Sequence, residues 1–403
     1  MFPPSQQIRW LIDCDSFYAS CEVYLNPKLR WLPVCIWWDI VIARSYEAKP
    51  YGIKVGTPIR EAKKMLPANA VYLKPNITKY GQISSSLMNY LQDKCLQVEV
   101  FSIDEAFIEI TDYAEMYHMS YQKIARAMRY DIKKKIGIPV SIGLAPTRLL
   151  SKIFADINKP FGECIAITPS EIDAVLRSLP LSDIPFVWPK TQEKLMDRCT
   201  TAYDYKALPY EYVRELLGKN GLKIRMELNS INAMNFAGKH TPKSINRTRS
   251  FNPHFTSKKS EVRSRLLENI DKACEHLLDQ KLATKYLAIS FRTKEFHRHW
   301  LDLKLPYATN DKMLITQSAR KLFERIAFAD DILYRTTGIY LWDLVDATNT
   351  QYSLFQSTQQ TTSKKQLNDI IYRINKKYWR WAIRLWEAKV SVKKNDLFEM
   401  VLN

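Results

Sequence analysis

The sequence predicts a multidomain α+β protein, and three features lead to that reading. The chain has 403 residues, more than one hydrophobic core usually organises. Its first 165 residues alternate short apolar runs with helical patterns, and two of those runs adjoin paired acidic residues. After a helical middle, a second strand–helix alternation follows that is far more basic than the first.

Residues 8–12 read as a strand that ends in Asp13-Cys14-Asp15 and leads into a helix at 16–25. A second strand at 33–36 precedes a polar and basic region, 43–64, punctuated by Gly52, Gly56 and Pro58. Between 97 and 110, Val98, Val100, Phe107, Ile108 and Ile110 flank Ser102-Ile103-Asp104-Glu105, which predicts two strands meeting at an acidic turn. One amphipathic helix is expected over 113–136, a strand over 139–144 and a helix over 148–158. Residues 169–236 read as short helices broken at Pro180, Pro185, Pro189 and Pro209. A polar linker, 237–243, separates these from a β/α module: strand 244–251, helix 259–281, strands 285–293 and 299–304, helix 310–328 and strand 332–341. Beyond Asp346 a Thr/Gln/Ser-rich stretch reads as a flexible connector, and 364–403 as a basic tail.

The net charge is +18 and is unevenly placed. Residues 1–235 hold 30 Lys and Arg against 25 Asp and Glu, whereas 236–403 hold 30 against 17. Such a basic C-terminal half suits a polyanion, most simply a nucleic-acid backbone, although a basic soluble surface would look the same. Seven scattered cysteines without a CxxC pair argue for reduced thiols rather than a zinc site or disulfides. The first nine residues lack a signal-peptide core, and no stretch approaches the ~20 apolar residues of a membrane helix. A cytoplasmic protein without a membrane partner is expected.

An acidic residue at a strand end is commonly a turn residue or helix cap. Here two clusters, Asp13/Asp15 and Asp104/Glu105, lie on separate strands of one expected sheet. Were those strands neighbours, the carboxylates would converge with no nearby base to neutralise them. Such a cluster needs a cation, and hard oxygen donors suit Mg²⁺. In a polyanion-binding protein, two such ions point to phosphoryl transfer.

Asp13-Cys14-Asp15-Ser16-Phe17-Tyr18-Ala19, Tyr46-Glu47-Ala48-Lys49 and Ser102-Ile103-Asp104-Glu105-Ala106 resemble, in order and near-family spacing, the catalytic motifs of Y-family DNA polymerases. Lys159-Pro160-Phe161-Gly162 extends the resemblance. It implies a right-hand polymerase: a palm at 1–16 and 78–167, small fingers at 17–77, a helix-hairpin-helix thumb at 168–236, a little finger at 243–348, and a linker with tail at 349–403. It also implies low-fidelity DNA synthesis past damaged bases. Asp13, Asp104 and Glu105 would be catalytic and would hold two Mg²⁺ ions, with the Cys14 backbone carbonyl as a further ligand. Phe17, Tyr46, Lys49 and Lys159 would contact the deoxynucleoside triphosphate, and Tyr18 would be the steric gate against a ribose. Lys49 departs from the arginine many relatives carry, keeping the charge but losing the bidentate fork. Asp15 stays outside the metal set.

The segment Val41-Ile42-Ala43-Arg44 and the 366–387 tail resemble the UmuC-like branch rather than the DinB-like one. Gln351-Tyr352-Ser353-Leu354-Phe355 resembles a sliding-clamp-binding peptide, with Gln351, Ser353, Leu354 and Phe355 as contacts. The branch implies a UmuD-like accessory protein and RecA as partners, besides primer-template DNA. In the basic module, Arg247 and Arg249, and again Arg292 and Lys294, lie two apart on expected strands, so each pair should project from one face toward a DNA backbone. The alternative function is a non-catalytic scaffold that keeps the fold and binds DNA and the clamp.

The chain has 10 glycines, few for its length, and 10 tryptophans. Trp31, Trp37-Trp38, Trp342 and Trp379/Trp381 stand where resembling sequences often carry glycine. Trp188 does the same in Ile184-Pro185-Phe186-Val187-Trp188-Pro189, which resembles a helix-hairpin-helix loop. Several of these are expected to be turn positions where a bulky residue is strained. The pattern leads to the expectation that the source reads a UGA codon as glycine.

Overall fold

In the computed structural model the described residues are 8–234, 242–251, 254–326, 328, 331–347, 370 and 373–374. The clamp-like peptide, residues 237–241 of the linker, Trp379 and Trp381 lie outside them. The chain forms two compact units divided near Gly238. Among the described residues no helix is long and apolar enough to cross a membrane.

The first unit begins with β1 (Arg9–Cys14), α1 (Phe17–Leu25), β2 (Val34–Trp37), β3 (Val41–Arg44), α2 (Ile59–Met65), β4 (Val71–Leu73) and α3 (Ile77–Lys94). It continues with β5 (Val98–Val100), β6 (Glu105–Glu109), α4 (Tyr113–Met116), α5 (Tyr121–Ile136), β7 (Val140–Ala145), α6 (Arg148–Ile157) and β8 (Glu163–Ile165). Four helices close it: α7 (Pro169–Ser178), α8 (Pro189–Leu195), α9 (Ala202–Ala207) and α10 (Tyr210–Leu228).

A five-stranded sheet in the order β5-β6-β1-β7-β8 is the frame of this unit. β1 lies in its centre, antiparallel to both β6 and β7, and all six of its residues are buried. One face, through Trp10, Ile12 and Ile108, packs on Tyr80 and Leu87 of α3 and Ile132 of α5. Each such large apolar side chain stabilises by roughly 1.5–3 kcal/mol when fully buried. The other face carries α6, where Leu11 and Phe107 meet Ala155.

α6 can lie this close because residue 143 is glycine. Gly143 is the register partner of Leu11 on β7, and a Cβ there would stand 2.0 Å from the Ser151 carbonyl oxygen. Gly143→Ala is therefore expected to destabilise by roughly 1–3 kcal/mol, as overpacking does, read as a lower denaturant midpoint. The other end of α6 is fixed by Thr147, whose Oγ1 caps Leu150 N–H and donates to the Glu227 carbonyl at 2.9 Å. Buried Glu227, on α10, accepts from Leu149 N–H at 3.1 Å.

A smaller sheet, β3-β2-β4, carries the segment between α1 and α3, with its own core around Cys35, Val41 and Ile53. The region expected to be merely polar, 43–64, thus holds the end of β3, a 3-10 turn (Tyr46–Tyr51) and α2. The single helix expected over 113–136 is two helices, because the chain turns at His118, φ 50. α3 was not anticipated; its Ile83, Leu87 and Leu91 keep helical spacing, but Ser84, Ser85 and Ser86 between them make the segment read as polar.

The second unit is a sheet in the order β11-β10-β12-β9 with two helices on one face. Its elements are β9 (Ser244–Ser250), α11 (Lys259–Asp279), β10 (Leu282–Thr293), β11 (Arg298–Thr309), α12 (Lys312–Phe323) and β12 (Tyr334–Asp346). Element order and type match the sequence expectation; β10, β11 and β12 run longer than expected, and both helices run shorter.

The tryptophans divide. Trp31 has a left-handed backbone, φ 69, and is 78% exposed. Trp188 does not: it is the N-cap of α8 with φ −76, and Phe186 is the left-handed residue of that loop, φ 70. Trp342 lies within β12, stacked on Tyr286, and is no turn residue.

Candidate active site

Register decides which way the acidic residues face. Successive side chains on a strand alternate, so Asp13 shares the α6 face with Leu11, and Glu105 shares it with Phe107. Asp13 and Glu105 are direct cross-strand partners. Asp104 occupies the turn before β6; its carbonyl accepts from Cys14 N–H at 2.9 Å and its Oδ1 from Ser102 Oγ at 2.5 Å. The pairing of β1 with β6 thus brings all the expected acidic residues to one end of the sheet.

The carboxylates are not uncompensated, contrary to expectation. α6 places Lys152 and, just past its end, Lys159 on the turns either side of Ala155. Lys152 Nζ donates to Glu105 Oε1. Lys159 Nζ lies 2.8 Å from Asp13 Oδ2 and 2.7 Å from Asp156 Oδ1. Burial pushes the Asp13 carboxyl up, to about 8, with Lys159 opposing and Glu105 adding to the rise. Burial alone would lower Lys159, but the charges of Asp13 and Asp156 outweigh it and raise the ammonium. Burial thus opposes the charge of both groups, and each charge favours the other. Among the described residues no three His, Cys, Asp or Glu side chains are gathered around one point. The donor set is hard carboxylate oxygen on a buried strand pair, which suits Mg²⁺.

A group of cations flanks the acids. In the 3-10 turn, Lys49 Nζ sits 3.4 Å from the Tyr46 ring centroid, and the Tyr46 hydroxyl donates to Asp15 Oδ1 at 3.4 Å. Burial lowers the Lys49 ammonium, and the charges of Arg44 and Lys159 lower it further. Arg44 Nε is buried without a hydrogen-bond partner in this environment. Mutually repelling, partly desolvated cations favour an anion among them. Arg44 was not expected as a site residue; a charge closing the apolar strand two residues before Tyr46 was the available signal.

Tyr18 lies half-buried at the first turn of α1 and stacks on Tyr80, centroids 4.7 Å apart. Tyr80 is held by its own hydroxyl, which donates to Glu22 Oε1 at 2.5 Å. Burial and then the Asp104 charge raise the Tyr18 phenol, which places that ring beside the acidic end. Phe17, expected to touch nucleotide, is instead buried in the sheet core, 4% exposed, because it follows the apolar face of α1.

In the second unit the expected basic pairs are rearranged. Arg247 and Arg249 share the side of buried Ile245, toward the helices, and Arg249 Nη1 lies 3.3 Å from Glu268 Oε2 of α11. Arg292 is exposed on the opposite, open face, but Lys294 lies beyond the end of β10, where a register shift intervenes. The open face instead pairs Arg292 with Arg298, whose guanidinium lies 4.5 Å from the Trp300 ring centroid. The alternation Arg298, Trp300, Asp302, Lys304 was the signal for it. Replacing Arg292 and Arg298 by alanine is expected to weaken DNA binding at every sequence, and to reduce the salt slope of log Kd by about one per residue. Fluorescence anisotropy at several salt concentrations measures this.

Residues 12–156 match the impB/mucB/samB family, and residues 242–354 match the impB/mucB/samB family C-terminal domain. The chain is 27% identical over 359 residues to a DNA polymerase IV of Caulobacter vibrioides, covering 88% of each chain. It is 27% identical over 399 residues to DNA polymerase IV 1 of Bacillus subtilis, covering 95% of this chain and 93% of that one. A DNA polymerase IV of Saccharolobus solfataricus is 34% identical over 226 residues, which is 54% of this chain and 63% of that protein. A solved Y-family DNA polymerase chimera superimposes with a TM-score of 0.69 at 24% identity, over 84% of this chain and 99% of that one. The two family matches together span more than half of the residues, in order, and the first contains the acidic strand pair and the cationic turn: the chain belongs to the impB/mucB/samB family, the Y-family DNA-directed DNA polymerases.

Proposed function

We propose that this chain extends a primer past damaged template bases with low fidelity, using Asp13, Asp104 and Glu105 for nucleotidyl transfer. The observation that carries the proposal is the Asp13–Glu105 cross-strand pair with Asp104 beside it, flanked by Lys49, Arg44 and Lys159. Acids at one edge and cations at the other suit a triphosphate whose α-phosphate must meet a metal site. Two Mg²⁺ ions, held by Asp13, Asp104, Glu105 and the Cys14 carbonyl, would activate the primer hydroxyl and neutralise the leaving pyrophosphate. Lys159 and Lys152 keep Asp13 and Glu105 ordered without the ions, and Lys159 then serves the phosphates. Tyr18, backed by Tyr80, fills the space a ribose 2′-hydroxyl needs.

The domain plan that supports this reading is the five-stranded sheet as palm, the β3-β2-β4 segment as fingers, α7–α10 as thumb and the second unit as little finger. Sliding clamp, UmuD-like protein and RecA remain proposed partners. The Val41–Arg44 segment favours a UmuC-like branch, whereas the names of the relatives favour a DNA polymerase IV type. Stimulation by a UmuD-like protein with a RecA filament supports the first, and full activity without them the second. The function itself is tested by primer extension on undamaged and abasic-site templates. Extension through the abasic site supports it; binding of both templates with extension of neither favours the scaffold reading.

A further inference from the structure

We propose that Asp15, which is no metal ligand in the site above, is the positioning residue that sets the spacing of the triphosphate clamp. This rests on the reading of Tyr46 and Lys159 as nucleotide contacts. Asp15 is fully buried, 0% exposed, and both of its oxygens are engaged by neutral donors rather than by a cation. Oδ1 accepts from Ser141 Oγ at 2.8 Å and from the Tyr46 hydroxyl at 3.4 Å. Oδ2 accepts from Phe161 N–H at 2.7 Å. Ser141 Oγ also accepts from Gly162 N–H at 3.2 Å. One carboxylate thus joins four segments: the end of β1, β7, the 3-10 turn that bears Tyr46 and Lys49, and the loop two residues past Lys159. No other described side chain is hydrogen-bonded both to the Tyr46 turn and to the Lys159 loop.

A carboxylate with three donors costs desolvation energy that an apolar residue would not; the return is a fixed distance between two halves of one anion site. Losing it lets the Tyr46 turn and the Lys159 loop drift apart, which weakens nucleotide binding more than the chemical step. Single-turnover incorporation gives the apparent nucleotide Kd and the maximal rate separately. Asp15→Ala is expected to raise Kd roughly tenfold or more while the maximal rate changes by no more than about threefold. Asp15→Asn, which retains one oxygen acceptor, is expected to recover much of the affinity. Asp15→Ala combined with Tyr46→Phe is expected to be less than additive, since Asp15 acts through Tyr46. An unchanged Kd in an active enzyme, a fall in rate alone, or full additivity overturns the proposal. Should Asp15→Ala fail to fold by thermal melting, Ser141→Ala carries the test: a smaller rise in Kd supports the proposal and none overturns it. A wild-type protein that binds primer-template but incorporates nothing overturns the polymerase reading instead.

A second inference stands on separate observations. We infer that Trp31, Trp38 and Trp188 are glycine in the protein that the source cells make. Trp31 combines a left-handed backbone with 78% exposure, a conformation bulky residues avoid and glycine accepts freely. Trp38 and Trp188 leave large aromatic surface in water, at 51% and 71% exposure. Glycine is scarce across the chain, as one misassigned codon would make it. Peptide mass spectrometry of the protein purified from its source cells decides the matter: glycine masses at the three positions support the inference, and tryptophan masses overturn it.

Discussion

Replacing Asp104 by alanine is expected to slow nucleotide incorporation by roughly a thousandfold or more while leaving primer-template affinity within about twofold. Losing a carboxylate that would hold a metal removes several kcal/mol of charge stabilisation at the reacting phosphate, and each 1.36 kcal/mol is about tenfold in rate. The fold should tolerate the change, because among the described residues the Asp104 side chain bonds only to Ser102 Oγ in its own turn, while its backbone carbonyl holds Cys14 N–H. Rapid-quench incorporation and anisotropy on the same preparation measure the two quantities. A rate within tenfold of wild type would remove Asp104 from the metal set.

Tyr18→Ala is expected to raise ribonucleotide incorporation relative to deoxynucleotide by about one to two orders of magnitude, a discrimination set by steric exclusion. The ring is backed on one side, since it stacks on Tyr80 and Tyr80 donates to Glu22. Tyr80→Ala should therefore loosen the gate in the same direction by a smaller factor, although Tyr80 is fully buried. Paired extension assays with ribo- and deoxynucleotides read both variants. Equal discrimination in Tyr18→Ala and wild type would assign the gate elsewhere.

Much of the fold was legible because its strands announce themselves. β1 is a continuous apolar run that ends in charge, and the β/α order of the second unit followed from apolar spacing alone. What escaped had physical reasons. The serines of α3 mask a helical stripe, and β3 is too short to separate from its polar surroundings. The family resemblance of the motifs implies roles for Asp13, Asp104, Glu105, Lys49 and Lys159. Their mutual arrangement was beyond reach: pairing of Lys152 with Glu105 depends on how closely α6 approaches β7, which Gly143 permits. Phe17 and Phe186 show the same limit, since a motif gives residue types and not the face each one takes.

The strain expected of the tryptophans is real at Trp31 and absent at Trp188 and Trp342. Left-handed turns also fall on Phe161, Phe186 and Phe296, the last two with exposed rings, so neither strain nor exposure by itself marks the glycine positions; Trp31 is the most exposed of the four. Arg247 and Arg249 share one side of β9, as their spacing predicts, but spacing does not say which side. Which face of a sheet the helices cover is a tertiary fact, and it moved the best candidates from Arg247 and Arg249 to Arg292 and Arg298.

Asp13, Asp104 and Glu105 are proposed to form a metal-dependent nucleotidyl-transfer site in which Lys159 holds Asp13 and Lys152 holds Glu105 in the meantime. Single-nucleotide incorporation by the wild-type chain, titrated with Mg²⁺ from a chelated start, tests it most directly. The account predicts no incorporation under chelation and a saturable rise with added Mg²⁺, at constant primer-template binding. Incorporation that persists under chelation, or none at any Mg²⁺ concentration with the DNA bound, would contradict it.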